Sequence, residues 1–176
     1  MSPKPSPGQI REINDSIRYA MWSVFKVTGP LPEDRAKLAA EVEALFAGHG
    51  FVVVHPEDHP LADQVRMVRD AEVVAGFAGS GMFQIALAGG PKHVVLVGSE
   101  SYTASNEYLI SSVVGHRLDL VLCRPDVVRT AGFDNASYQS DFTYDDRREG
   151  VFLRSVLAEL SGDGEHPETA LGYERT

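Results

Sequence analysis

The sequence predicts an α/β fold, three-layer and Rossmann-like, with a mainly parallel sheet of about four to five strands. Three observations point to it. Short apolar runs alternate with helix-length amphipathic segments between residues 31 and 161. The stretch from Phe51 to Gln84 compresses a strand, a Pro-bounded turn, a helix, a second strand and a Gly/Ser turn into about 34 residues, the size of one βαβ unit. The strand-like runs are continuously apolar rather than alternating, as strands covered on both faces are.

Each element has a local reason. Ile10, Ile13, Ile17, Met21 and Val24 are spaced as an amphipathic helix behind the Pro-rich start, so residues 1–30 read as an N-terminal helical arm, although Ser23 to Val27 also suits a strand. Pro32 and Glu33 fit a helix start, Leu38, Val42 and Leu45 mark its apolar face, and Gly48 with Gly50 can stop it. Phe51 to Val54 is a run of aromatic and β-branched residues expected to be buried on both faces. Pro56 and Pro60 make His55 to His59 a loop, and Leu61, Val65 and Val68 form the buried stripe of the next helix.

The alternation continues. Glu72 to Gly76 returns to strand chemistry, and Met82 to Leu87 reads as a short helix ended by Gly89, Gly90 and Pro91. His93 to Val97 is a buried strand, Ala104 to Val114 a helix with Thr103 as N-cap, and Leu118 to Leu122 a further strand. Phe133 to Asp146 lacks a period and reads as an ordered loop covering an edge or a site. Arg148 to Leu160 is the last helix, with Val151, Phe152, Val156, Leu157 and Leu160 apolar, and residues 162–176 form a loose tail. Residues 31–161 are therefore expected to be one domain.

Composition narrows the function classes. A chain of 176 residues suffices for one sizeable core. A net charge of −9 with no basic stripe argues against a nucleic-acid surface. No apolar run approaches the roughly 18 to 20 residues of a membrane span, and the start lacks signal-peptide order, so the expected setting is the cytoplasm. Cys123, alone in an apolar strand, reads as core filler.

The candidate chemistry lies after two strands. Gly76, Gly79 and Gly81 bracket a turn in which backbone N–H groups can approach a ligand and point into the helix that begins near Met82, a setting that favours phosphate. The plainer alternative is that these glycines only permit a tight turn. Ser80 lacks the flanking glycines of a hydrolase elbow and is better placed to donate to a phosphate or sugar oxygen, or to cap the helix. Gln84 closes this segment.

The second surface is Gly98, Ser99, Glu100, Ser101, Tyr102, Thr103, Ala104, Ser105, Asn106 and Glu107, which should open on the same sheet edge. Glu100 and Glu107 suit sugar hydroxyls or a base, and Tyr102 suits stacking. The alternative puts Glu107 on a solvated helix face, where acidic residues early in a helix are common. His55 and His59 have a metal-like spacing, but Pro56 and Pro60 deny them a shared helix and no third ligand follows, so no metal is expected.

Gly50, Phe51, Val53, Pro56, Glu57, Leu61, Gln64, Val65, Ala71, Glu72, Val74, Gly76, Gly79 and Gly81 fall in the order of the pattern GF-x-V-x-x-P-E, L-x-x-Q-V, A-E-x-V-x-G and H-G-A-G-L. On these residues the region from about Glu41 to Arg124 resembles the C-terminal, donor-binding half of glycosyltransferase family 61, a family of capsular and exopolysaccharide transferases. Ala78 stands at the family's His and Met82 at its last Leu.

The resemblance implies one half of a GT-B fold that binds a nucleotide-diphospho-sugar as substrate, with no cofactor. It also implies inverting, metal-independent transfer to a polysaccharide or glycan acceptor. Donor contacts would fall at Gly76, Gly79, Ser80, Gly81, Met82 and Gln84, and at Gly98, Ser99, Glu100, Ser101, Tyr102, Asn106 and Glu107. His55 and Glu57 are the nearest candidates for a base, and a homo-oligomer or a second chain would supply the acceptor domain. The alternative is a noncatalytic Rossmann-like module that binds a nucleotide or a protein.

Overall fold

The computed structural model describes residues 19–22, 33–128, 134–138 and 140–161. Its strands are β1 (Tyr19–Trp22), β2 (Val52–Val54), β3 (Val73–Phe77), β4 (His93–Ser99), β5 (Arg117–Pro125) and β6 (Phe142–Thr143). They form a sheet in the order β2-β1-β3-β4-β5-β6. β1 to β5 pair in parallel, and β6 adds a short antiparallel edge. The helices are α1 (Glu33–Gly48), α2 (Leu61–Asp70), α3 (Ser105–Val114), α4 (Asn135–Tyr138) and α5 (Glu149–Ser161), with 3₁₀ segments at Pro56–Asp58 and Ser80–Leu87.

Strand residues divide between two cores by their period of two. Val73, Ala75, Phe77, Val95, Val97, Val121 and Cys123 pack against Val42 and Phe46 of α1 and Leu153, Val156 and Leu157 of α5. Val74, Val94 and Leu96 pack against Met67 and Val68 of α2 and Met82 and Ile85 of the second 3₁₀ segment. Helical segments thus cover both faces, which is what unbroken apolar strands require. Gly50, at φ +83°, lets the chain reverse after α1, and Phe51 then meets Phe46 edge-on at 4.9 Å between ring centroids. Such ring pairs add roughly 0.5–1.5 kcal/mol beyond area burial.

Several elements differ from the sequence expectations. Tyr19–Trp22 is a strand inside the sheet, where it pairs with Val52–Val54 on one side and Val73–Gly76 on the other. Two complete ladders outweigh the helical spacing that Met21 shares with Ile17 and Val24. The remainder of the 1–30 arm, Ser23 to Val27 included, and the 162–176 tail lie outside the described residues. Among the described residues β2 pairs only with β1, so it is an edge strand there, and Val52 is exposed rather than covered on both faces.

The helices show similar shifts. Leu61 is 64% exposed because the first turn of α2 projects past the core, and the buried residues of that helix are Met67 and Val68. In α5 the buried stripe is Leu153, Val156 and Leu157, which leaves Val151 and Phe152 exposed. Thr103 does not cap α3. Its hydroxyl meets that of Ser105, and the cap position is Ala104, held in the left-handed region at φ 47°. Ser80 to Leu87 winds as a 3₁₀ helix, and the described part of the Phe133 to Asp146 segment contains α4 and β6. The sheet has six strands where about four to five were expected, and the unexpected ones are β1 and β6.

Candidate functional site on the carboxyl edge of the sheet

Because β1 to β5 run in parallel, the loops after β2, β3, β4 and β5 all open on one edge. The chain leaves β1 through α1 to β2 on one side, then continues through β3, β4 and β5 on the other, so the order reverses between β1 and β3. Such a reversal opens a crevice at the carboxyl ends of the two strands. The Gly79 turn follows β3 directly into it.

The backbone of that turn is already engaged. Gly79 takes φ 150° and ψ −177°, a conformation that favours glycine. Its N–H donates to Oε1 of Glu107 at 2.8 Å. On either side, the Ala78 N–H donates to the Val97 carbonyl at 2.8 Å and the Met82 N–H to the Gly79 carbonyl at 2.9 Å. The amides of Gly79 and Met82, expected to cradle an anion, are therefore held by the protein's own acceptors. Met82 itself is buried in the core, and Gly76 sits within β3, paired with Trp22 and Leu96, rather than in the turn.

Glu107 is the residue that sequence reasoning placed least well. It is fully buried in the first turn of α3, not on a solvated face. Its two carboxylate oxygens accept from the Tyr102 hydroxyl at 3.1 and 3.2 Å while Oε1 also takes the Gly79 N–H. Burial, followed by the adjacent Glu107 charge, pushes the Tyr102 hydroxyl well above the usual tyrosine range, so it stays protonated as a donor. The Tyr102 ring also lies 5.4 Å from that of Tyr138 in α4.

The two candidate loops do converge, since Glu107 joins them. Within the second loop, Ser99 and Ser101 are buried, with Ser99 Oγ accepting from the Ser101 N–H and Ser101 Oγ bonded to Ser137 Oγ at 2.6 Å. Gly98 is fixed by sterics, because a Cβ there would lie 2.7 Å from Cβ of Ala78. Ser80, Glu100, Thr103, Ser105 and Asn106 are exposed polar side chains of these two loops.

His55 and Glu57 are exposed on the loop after β2, which lies two strands from β3 across β1. The link between that loop and the Gly79 turn is Gln64, which the motif comparison marked but no role explained. Its Nε2 donates to the carbonyls of Pro56 and His59, both at 2.7 Å, and its Oε1 accepts from Nε2 of Gln84 at 2.5 Å. Gln84, a candidate donor contact, is thus a brace between the two segments. Among the described residues no group of three His, Cys, Asp or Glu side chains could hold a metal ion. Nor is any helix there long and apolar enough to cross a membrane.

A further part of the same edge had no clear sequence signal. A cavity of about 140 Å³ after β5 is lined by Arg124, Thr143, Asp145 and Arg148. Arg124 and Thr143 are opposed across the β5 and β6 ladder, 19 positions apart in sequence. Nearby Cys123 is inert core, its thiol pushed up to about 12 by burial first and then by Glu149.

Residues 33–95 match the family model of Glycosyltransferase 61. The matched stretch runs from α1 into β4, and it contains β2, α2, β3 and the Gly79 turn with its Gln64 and Gln84 brace. The resemblance to glycosyltransferase 61 therefore holds over this part of the chain, while the Gly98 to Glu107 loop and the arginine-lined cavity lie beyond it. No solved structure matches the chain.

Proposed function

We propose that the chain is a glycosyltransferase-like domain that holds a nucleotide-diphospho-sugar on the carboxyl edge of its sheet, for transfer of the glycosyl group to a polysaccharide or glycan acceptor. The match of residues 33–95 to Glycosyltransferase 61 carries this proposal. It is supported by the position of that stretch, which delivers the Gly79 turn to the reversal between β1 and β3, beside a loop rich in exposed hydroxyl and carboxylate groups. The sheet acts as one Rossmann-like half of a GT-B enzyme in the cytoplasm, paired with an acceptor half.

Exposed Glu100, Asn106, Ser105 and Ser80 offer acceptors and donors to sugar hydroxyls. Transfer also requires stabilising charge on the leaving diphosphate and a base for the acceptor hydroxyl. His55 and Glu57 stand on the same edge, two strands away, so a base from the acceptor half fits the geometry better.

A second reading has its own observation. The Gly79 amide is filled by Glu107, and Ala78 offers no imidazole where the family pattern has His. On that reading the domain binds a nucleotide without turning it over. Calorimetric titration of the purified chain with UDP, GDP and CDP sugars, run beside a donor-hydrolysis assay, decides between them. Binding with release of free nucleotide supports the transferase, binding without release supports the noncatalytic module, and no binding of any of the three contradicts both.

A further inference from the structure

We propose that the cavity lined by Arg124 and Arg148 binds the phosphoryl groups of a nucleoside diphosphate, in place of the Gly79 turn. This rests on the donor-binding reading above and assigns its anion subsite. The sequence expectation put the diphosphate on the amides after β3, but the Glu107 carboxylate already accepts from Gly79 there and would repel a second anion. The described edge offers guanidinium donors elsewhere, at the end of β5, where Arg148 is paired with Glu149 and Glu100 and Arg124 is not.

Two guanidiniums face that cavity against one carboxylate, in a chain whose net charge is −9. Arg148 is aimed by its neighbours: its Nε donates to the buried Glu149 carboxylate, and its Nη2 lies 3.9 Å from Glu100. Arg124 is exposed and its guanidinium has no hydrogen-bond or ion-pair partner among the described residues. The other lining groups are committed. Asp145 Oδ1 accepts the Arg147 N–H at 2.8 Å, and Thr143 Oγ1 donates to Asp126 at 3.2 Å. The planar, always charged fork of arginine suits phosphate oxygens.

The placement also fits the length of a ligand. The Gly98 to Glu107 loop spans the gap, with Glu107 on Gly79 at one end and Glu100 beside Arg148 at the other. β3 and β5 are two strand spacings apart, about 10 Å. A single nucleotide-sugar reaches across that distance, with its phosphates on the arginines and its hydroxyls along the loop.

The test is calorimetric titration of the whole chain, at low salt, with inorganic pyrophosphate, UDP, GDP, CDP and uridine, for the wild type, Arg124→Gln and Arg148→Gln. Pyrophosphate and at least one nucleoside diphosphate are expected to bind the wild type, at least tenfold more weakly in each variant, while uridine is indifferent to both substitutions. Arg124→Gln decides the matter, since that side chain supports no other described residue; far-ultraviolet circular dichroism confirms that both variants are folded. Pyrophosphate affinity unchanged within twofold in both variants, or no pyrophosphate binding by the wild type, overturns the proposal. If a nucleoside diphosphate binds equally to all three proteins, the donor-binding reading stands and this subsite falls. If pyrophosphate binding depends on Arg124 and no nucleotide binds more tightly than pyrophosphate, the subsite stands and the donor reading falls.

Discussion

Glu107 and Gly79 lie 28 residues apart in sequence and are joined by a 2.8 Å hydrogen bond from the glycine N–H to a fully buried carboxylate. The contact ties the first turn of α3 to the turn after β3, and it sets the charge of the crevice at the strand-order reversal. Replacing Glu107 with Ala leaves the Gly79 N–H and the Tyr102 hydroxyl without their acceptor, at an expected cost of about 1–3 kcal/mol. Glu107→Gln retains an acceptor oxygen, so it should lose less stability while raising pyrophosphate affinity through removal of the negative charge. Urea unfolding of both variants, paired with the pyrophosphate titration, checks these outcomes; an unchanged Glu107→Ala midpoint contradicts them.

Gln64 closes the loop that carries His55 and Glu57 through two carbonyls, and it accepts from Gln84. Gln64→Ala is expected to destabilise the chain by about 1–3 kcal/mol, since a half-buried carbonyl pair and an amide lose partners together. Hydrogen exchange should speed up in residues 55–60 and at Gln84, and remain slow in β4.

Glycine substitutions separate steric need from convenience. A Cβ at Gly98 meets that of Ala78 at 2.7 Å, so Gly98→Ala should cost about 1–3 kcal/mol through overpacking. Gly48, at the end of α1, has open space and no left-handed φ, so Gly48→Ala should stabilise by about 0.4–1 kcal/mol. Thermal unfolding of the two variants should move in opposite directions.

Alkaline pH gives a further check. Burial raises the Cys123 thiol to about 12, and burial with Asp146 raises the Tyr144 hydroxyl to about 12, while Tyr102 is raised as well. Groups with folded values above the unfolded ones stabilise the fold fully below the unfolded values. That contribution drains away as pH climbs from about 9 towards 12, where the unfolded chain sheds these protons first. Denaturant midpoints should hold steady to pH 8 and fall from pH 9 upward, with a shallower fall in Cys123→Ala. A midpoint that rises over pH 9 to 11 contradicts the assignment.

What could be read from the sequence was local. Val94 to Val97 and Val73 to Phe77 are unbroken apolar runs, and they became central strands with helices on both faces. α1 was legible because Val42 sits on its periodic face and Gly50 marks its end. β1 was not, since four residues, Tyr19 to Trp22, acquire their state from ladders with partners more than 30 residues away.

The candidate site divides along the same line. Its position after β3 and β4 followed from the βαβ order, whereas Glu107 looked like an ordinary acid in a first helical turn until the distant Gly79 turn folded over it. Arg124 and Arg148 come to line one cavity because β6 doubles back on β5. Their one sequence hint is positive charge at a strand end and before a helix in an acidic chain.

The most direct test of ligand binding on this edge is an amide chemical-shift titration of the labelled chain with UDP, GDP and CDP sugars. Shifts concentrated at Gly79 to Gly81, Gly98 to Glu107, Arg124 and Arg148 are the expected result. Shifts confined to the opposite edge, around His93 and Arg117, or none with any of the three donors, would contradict it.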